Sequence, residues 1–166
     1  ALEKNRRLGK YEDKHLNFRY FDFYSHLYTP LISIDKGIRI EVSPVSLNCD
    51  EKLFIDRLKK YCDDNPSAFT EKRLYLLRNK SKVGMGFFEA GNFYPDYIMW
   101  IAKTNKQYIT FIDPKGIMML EKNINNPKIQ FYKTIKELEA RLQPSCTEKQ
   151  IILNSFIISG TPAADA

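Results

Sequence analysis

The chain is poor in cysteine and histidine and has no long apolar run, and each shortage narrows what it can be. Its cysteines, Cys49, Cys62 and Cys146, are odd in number and far apart, which argues against a disulfide framework and for a reducing, cytoplasmic setting. Two histidines, His15 and His26, without CxxC or HxxxH spacing, argue against a zinc site. No apolar stretch approaches the roughly 20 residues a membrane span needs, and the opening ALEKNRRLGK is too polar for a signal peptide. No GxxxxGK[ST] stretch occurs, so the chain carries no P-loop ATPase. It begins without Met, which suggests a piece of a longer polypeptide and leaves room for an ATP-driven module outside it.

What is present describes a globular chain. It has 166 residues, 26 Lys+Arg against 20 Asp+Glu, a formal charge of +6 and a pI near 9.1. Hydrophobic residues at 43% and charged residues at 28% exclude disorder for most of the length, and the length suits one domain with its own core. Residues 1–47 are expected to form a charged segment and a β-hairpin packed on the core, 48–160 the core itself, and 161–166 a disordered tail. The hairpin expectation rests on Asp35-Lys36-Gly37 between two runs of alternating Ile, bracketed by Pro30 and Pro44. The aromatic wealth before it (Phe18, Tyr20, Phe21, Phe23, Tyr24, Tyr28) reads as core or as a contact surface.

Further on, EKLFIDRLKKYC has helical period, with Glu51, Ile55, Leu58 and Cys62 on one stripe and Asn48 or Asp50 available as its cap. The stripe begins with a carboxylate. LYLLRN, the run ending PDYIMWIA, and QYITFID read as three strands; Thr134-Ile135-Lys136-Glu137 reads as a capping box opening a helix through Leu142; IILNSFII reads as a buried strand. The expected class is α+β with a mixed sheet, in the order helix–strand–strand–strand–helix–strand after the N-terminal hairpin.

Two acids sit inside apolar strands, where an unpaired carboxylate is expensive. Asp96 lies in FYPDYIMWI and Asp113 in YITFIDPKG. A two-residue turn at Thr104-Asn105 would pair 103 with 106 and, counting back, 96 with 113. Opposed residues share a face with Cβ atoms roughly 5 Å apart. Lys115 then points to the side of Asp113. Two carboxylates that close call for a cation, and hard oxygen donors suit Mg²⁺, with Mn²⁺ as its substitute; the carbonyl of Pro114 is a further donor. Asp-Pro-Lys-Gly also matches a type I turn, and the parity of the hairpin decides between the two.

This order of elements with Pro95-Asp96 followed by Asp113-Pro114-Lys115 resembles the PD-(D/E)xK nuclease superfamily. More narrowly, HLYTPLISID, IEVSPVSLNCDEKLFIDRLKKYC and GFFEAGNFYPDYIMWI…FIDPKGI resemble the C-terminal nuclease region of the restriction (helicase–nuclease) subunit of type III restriction enzymes, over most of residues 12 to 120. The resemblance implies a restriction-endonuclease-like core in the prokaryotic cytoplasm, cleaving double-stranded DNA with Mg²⁺ in phage defence. It implies an ATP-dependent translocase ahead of this piece and a methyltransferase or specificity subunit as partner. It assigns the metal to Asp96 and Asp113, catalysis on the water to Lys115, and a helper acid to Glu51, with Glu89 as the rival. Asp113 departs from the commoner Glu of the third motif.

Lys72, Arg73, Arg78, Lys80 and Lys82 crowd the entrance and exit of the first core strand and are expected to hold DNA phosphates. Two other readings stand beside the nuclease: a non-catalytic DNA-binding or docking module, and an RNA-directed nuclease of the same fold.

Overall fold

The computed structural model describes residues 12–13, 18–21, 31–34, 45–87, 90–114, 123, 125–145 and 148–158. Strands β1 (Glu12–Asp13), β2 (Phe18–Phe21) and β3 (Leu31–Ile34) form an antiparallel sheet in that order. Leu31–Ile34 is thus a strand, but its observed partner is Phe18–Phe21. The turn at Asp35-Lys36-Gly37, expected to return the chain onto it, lies outside the described residues.

The core follows as helix α1 (Cys49–Asp64), strands β4 (Arg73–Arg78), β5 (Tyr97–Ala102) and β6 (Lys106–Asp113), helix α2 (Pro127–Leu142) and strand β7 (Gln150–Ile157). The sheet order is β4-β5-β6-β7, antiparallel except for the parallel pair β6/β7. A parallel neighbour requires a crossover, and α2 provides it. This is a mixed α+β sheet with helices, in the expected order.

Alternation along the strands sends two apolar sets to opposite faces. Leu74, Leu76, Tyr97 and Ile112 pack with Ile55 and Cys62 of α1, while Ile98, Phe111 and Leu153 pack with Phe131 and Ile135 of α2. Each fully buried aliphatic side chain contributes about 1.5–3 kcal/mol. Helix α1 opens with a reciprocal cap: Glu51 N donates to Asn48 Oδ1 at 2.9 Å, and Asn48 N donates to Glu51 Oε2 at 2.8 Å. Asn48 is the cap, and the stripe of Glu51, Ile55 and Cys62 is buried as expected.

Helix α2 corrects the sequence reading. It opens at Pro127, with Asn126 accepting from Lys128 N at 3.0 Å; Thr134 lies inside it and turns its hydroxyl back to Phe131 O at 3.4 Å. Proline is at home in a first turn, where its missing N–H has no helical acceptor. A four-residue Thr-x-x-Glu pattern marks a start only where no stronger signal precedes it. The buried stripe is Phe131 and Ile135, with Leu138 partly buried, whereas Leu142 is exposed.

Strand β7 is also less buried than its composition suggests. Leu153 and Ser155 are buried, but Phe156 is exposed because β7 is an edge. Side chains of α2 and the turn after it cover the outer row of that edge. Leu153 N donates to Glu139 Oε2 at 2.6 Å, Lys136 Nζ donates to Leu153 O at 2.6 Å, and Ile151 N donates to Gln143 Oε1 at 2.9 Å. Satisfying those groups removes a template for strand addition. Burial raises the Glu139 carboxyl, but the Lys136 ammonium and the Leu153 amide outweigh it and hold the group below the usual carboxylate range.

Candidate active site

The hairpin joining β5 and β6 decides whether the two acids meet. Lys103 N donates to Lys106 O at 2.8 Å, closing a two-residue turn at Thr104-Asn105. Ala102 then pairs with Gln107 and Tyr97 with Ile112. That is the last recorded pair; Asp96 is the residue just before Tyr97 and Asp113 the one just after Ile112. Main-chain bonds anchor both acids on their outer sides: Asn79 N donates to Asp96 O at 2.7 Å, and Ile158 N donates to Asp113 O at 3.0 Å. Asp113 ends β6 and is 1% exposed; Pro114 after it is also buried, and Asp96 is half-buried just ahead of β5. Lys115 and Glu89 lie outside the described residues.

Asn79, which the sequence reading did not single out, fixes the approach to Asp96. Its Nδ2 donates to Pro95 O at 2.9 Å and to Met85 O at 2.8 Å, and its Oδ1 accepts from Met85 N at 3.0 Å. One side chain therefore ties the turn after β4 to the Pro95-Asp96 segment. Glycine is needed beneath it: a Cβ on Gly84 would lie 2.0 Å from Asn79 Oδ1 and 2.9 Å from Lys80 O. Glycines five and seven residues past an asparagine at a strand's end were the available signal. Asn79→Ala should lower the unfolding free energy by about 1 kcal/mol in urea titration, since it leaves the part-buried Pro95 carbonyl without its donor while the groups of exposed Met85 turn to water. A change under about 0.5 kcal/mol, the range of a neutral surface substitution, would contradict the clamp.

Glu51 occupies the other face. Its Oε2 accepts from Arg78 Nη2 at 3.0 Å and its Oε1 from Arg78 Nε at 3.2 Å, a bidentate pair with side chains 7% and 13% exposed. Arg78 also donates to Val45 O and, at 3.3 Å, to Ser46 O, which draws the segment before α1 onto β4. Tyr97 stands directly across from Arg78, so both face α1, and alternation turns Asp113 to the α2 side. The Tyr97 hydroxyl is buried and takes no hydrogen bond among the described residues. Burial pushes its pKa well up, and the Glu51 carboxylate adds to the rise.

The recorded β5–β6 pairs end at Tyr97 with Ile112, so Asp96 and Asp113 occupy the positions just beyond the last pair, while Glu51 is engaged by Arg78. Among the described residues, no three His, Cys, Asp or Glu side chains gather closely enough to hold a metal ion. The basic cluster divides too. Arg78 points inward, Lys72 and Arg73 sit at the start of β4, and exposed Lys80 and Lys82 follow its end; the six-residue strand puts roughly 17 Å between the two groups. Lys80 and Lys82 are the pair on the Asp96 side.

No protein-family model, curated protein or solved structure matches the chain. No helix among the described residues is long and apolar enough to cross a membrane.

Proposed function

We propose that the chain is a Mg²⁺-dependent endonuclease domain of the type III restriction kind, which hydrolyses DNA phosphodiester bonds as part of a larger polypeptide with an ATP-driven translocase. The observation that supports this reading is the two-residue β5–β6 turn, whose register, carried one residue past Tyr97 and Ile112, brings Asp96 toward Asp113 near Lys80 and Lys82.

The donor set fits the ion. Magnesium keeps several waters and takes one or two carboxylates together with substrate phosphate, so the two acids and the Pro114 carbonyl suffice without Glu51. When bound, it supplies polarisation of a phosphoryl oxygen and a more acidic water. The chain's own residues do the rest. Asp96 and Asp113 hold their places through the rungs to Asn79 and Ile158. The resemblance to the nuclease superfamily gives Lys115 the role of orienting the attacking water and offsetting charge growing on the phosphate. Lys80 and Lys82 grip phosphates flanking the scissile one. The alternative, a DNA-binding or docking module without catalysis, draws on the engagement of Glu51 by Arg78 in place of a third acid.

Nicking of supercoiled plasmid tests the proposal. The chain should nick in Mg²⁺, stop in EDTA, and lose about 10²-fold or more of its rate as Lys115→Ala, in the range for removing a positioned catalytic group. Equal nicking by Lys115→Ala would contradict it.

A further inference from the structure

Between β4 and β5 the chain raises a short turn in which every residue from 80 to 85 is exposed. Val83 is 82% exposed and Met85 49%. Lys80 and Lys82 are interleaved with them, and no acid occurs from 79 to 87. The turn is nevertheless held at both ends. Gly84 N donates to Lys80 O at 2.7 Å, and Val83 N donates to the same oxygen at 3.4 Å. Asn79 binds the main chain of Met85 on both its N–H and its carbonyl. Beyond it, Phe87 N donates to Phe93 O at 2.8 Å and Phe93 N to Phe87 O at 3.0 Å. Gly86 lets the Tyr94 ring lie against the main chain, where a Cβ would come within 2.4 Å of its Cε1.

Lys82 sits at φ +64°, in the left-handed region that favours glycine, and a lysine stays there only where its surroundings impose it. The turn therefore presents cations and apolar side chains to solvent at a cost in backbone strain and in exposed hydrophobic surface. Its position gives them a use. Asn79 N donates to Asp96 O at 2.7 Å, so the turn leaves the sheet directly beside the Asp96 segment. Six residues are too few for a protein interface, which takes roughly 20–30 a side. They suit the minor groove of duplex DNA, about 6 Å wide. Lysines meet the phosphates along its walls, and an apolar wedge enters between base pairs.

We propose that the turn at 80–85 is a preformed probe for the minor groove of duplex DNA, in which Val83 and Met85 press between base pairs and Lys80 and Lys82 take the bordering phosphates. The choice of DNA as partner rests on the nuclease reading above; the build of the probe does not. Neither apolar side chain can read a base edge by hydrogen bonding, so the contact is tolerant of sequence and favours steps that unstack easily, such as TA.

A duplex of about 25 base pairs carrying the fluorescent base 2-aminopurine at TA steps tests this in EDTA, where nothing is cut. The parent should bind and raise the 2-aminopurine emission about 2-fold as the step unstacks. Val83→Ser/Met85→Ser changes two exposed side chains and leaves the main-chain bonds of the turn in place. It should bind about 10-fold more weakly and lose the rise in emission. Lys82→Gly, which relaxes the backbone, should lower the slope of log affinity against log salt by about 0.9, the share of one phosphate contact. Undiminished duplex affinity in Val83→Ser/Met85→Ser would overturn the inference and leave these side chains to a protein contact. Parent binding with unchanged 2-aminopurine emission would overturn it too, as would absence of binding at low salt. Plasmid nicking by Lys115→Ala reads hydrolysis alone, so the nuclease reading and the probe fail separately.

Discussion

Arg78→Met is expected to lower the unfolding free energy by about 3–5 kcal/mol, the usual result of removing one partner from a buried ion pair. The carboxylate left behind is 6% exposed and 27 residues away in sequence. It keeps the Asn48 amide as a donor but loses both guanidinium bonds. Arg78 also draws in Val45 and Ser46, so the segment entering α1 loosens with it. Against a total stability of about 5–15 kcal/mol, a loss of this size leaves a marginal protein. Urea unfolding of the single variants and of Glu51→Gln/Arg78→Met checks the origin of the effect. The double variant should be more stable than Arg78→Met alone, because it removes the stranded charge. Additive losses, or a loss under about 1 kcal/mol, the level of an exposed pair, would show that the pair matters little.

The second large effect concerns Asp113. Asp113→Asn should cut Mg²⁺-dependent cleavage by at least about 10²-fold and also abolish the protein's thermal response to Mg²⁺. An ion that binds only the folded chain stabilises it by mass action: at ten times its dissociation constant the gain is about 1.4 kcal/mol, or roughly 3–6 °C in melting temperature. The parent should show that rise and Asp113→Asn should not. Because the readout is binding, it holds even if cleavage needs the translocase. A full Mg²⁺ shift in Asp113→Asn would place the ion elsewhere.

Local rules made part of this molecule readable in its sequence. The register of β5 on β6 follows from a turn of two residues and no bulge, and its last pair, Tyr97 with Ile112, leaves Asp96 and Asp113 at the adjoining positions. The inward Glu51 and its cap followed from helical period and one asparagine. Where the reading failed, a non-local contact or a competing local signal was responsible. Arg78 stood among other lysines and arginines and so read as a phosphate contact, but its environment is set by a carboxylate on another element. The Asn126-Pro127 start of α2 was hidden behind a shorter pattern seven residues on. Phe156 looked like core because composition does not tell an edge strand from a central one. Asn79 carries little chemistry by type, and only the turn folded around it shows its use.

Anomalous scattering from crystals soaked in Mn²⁺ tests the central assignment most directly. A single peak within coordination distance of both the Asp96 and the Asp113 carboxylates, absent in Asp113→Asn crystals, is the predicted result. Saturating Mn²⁺ with no peak there, or the two carboxylates turned away from each other, would contradict it.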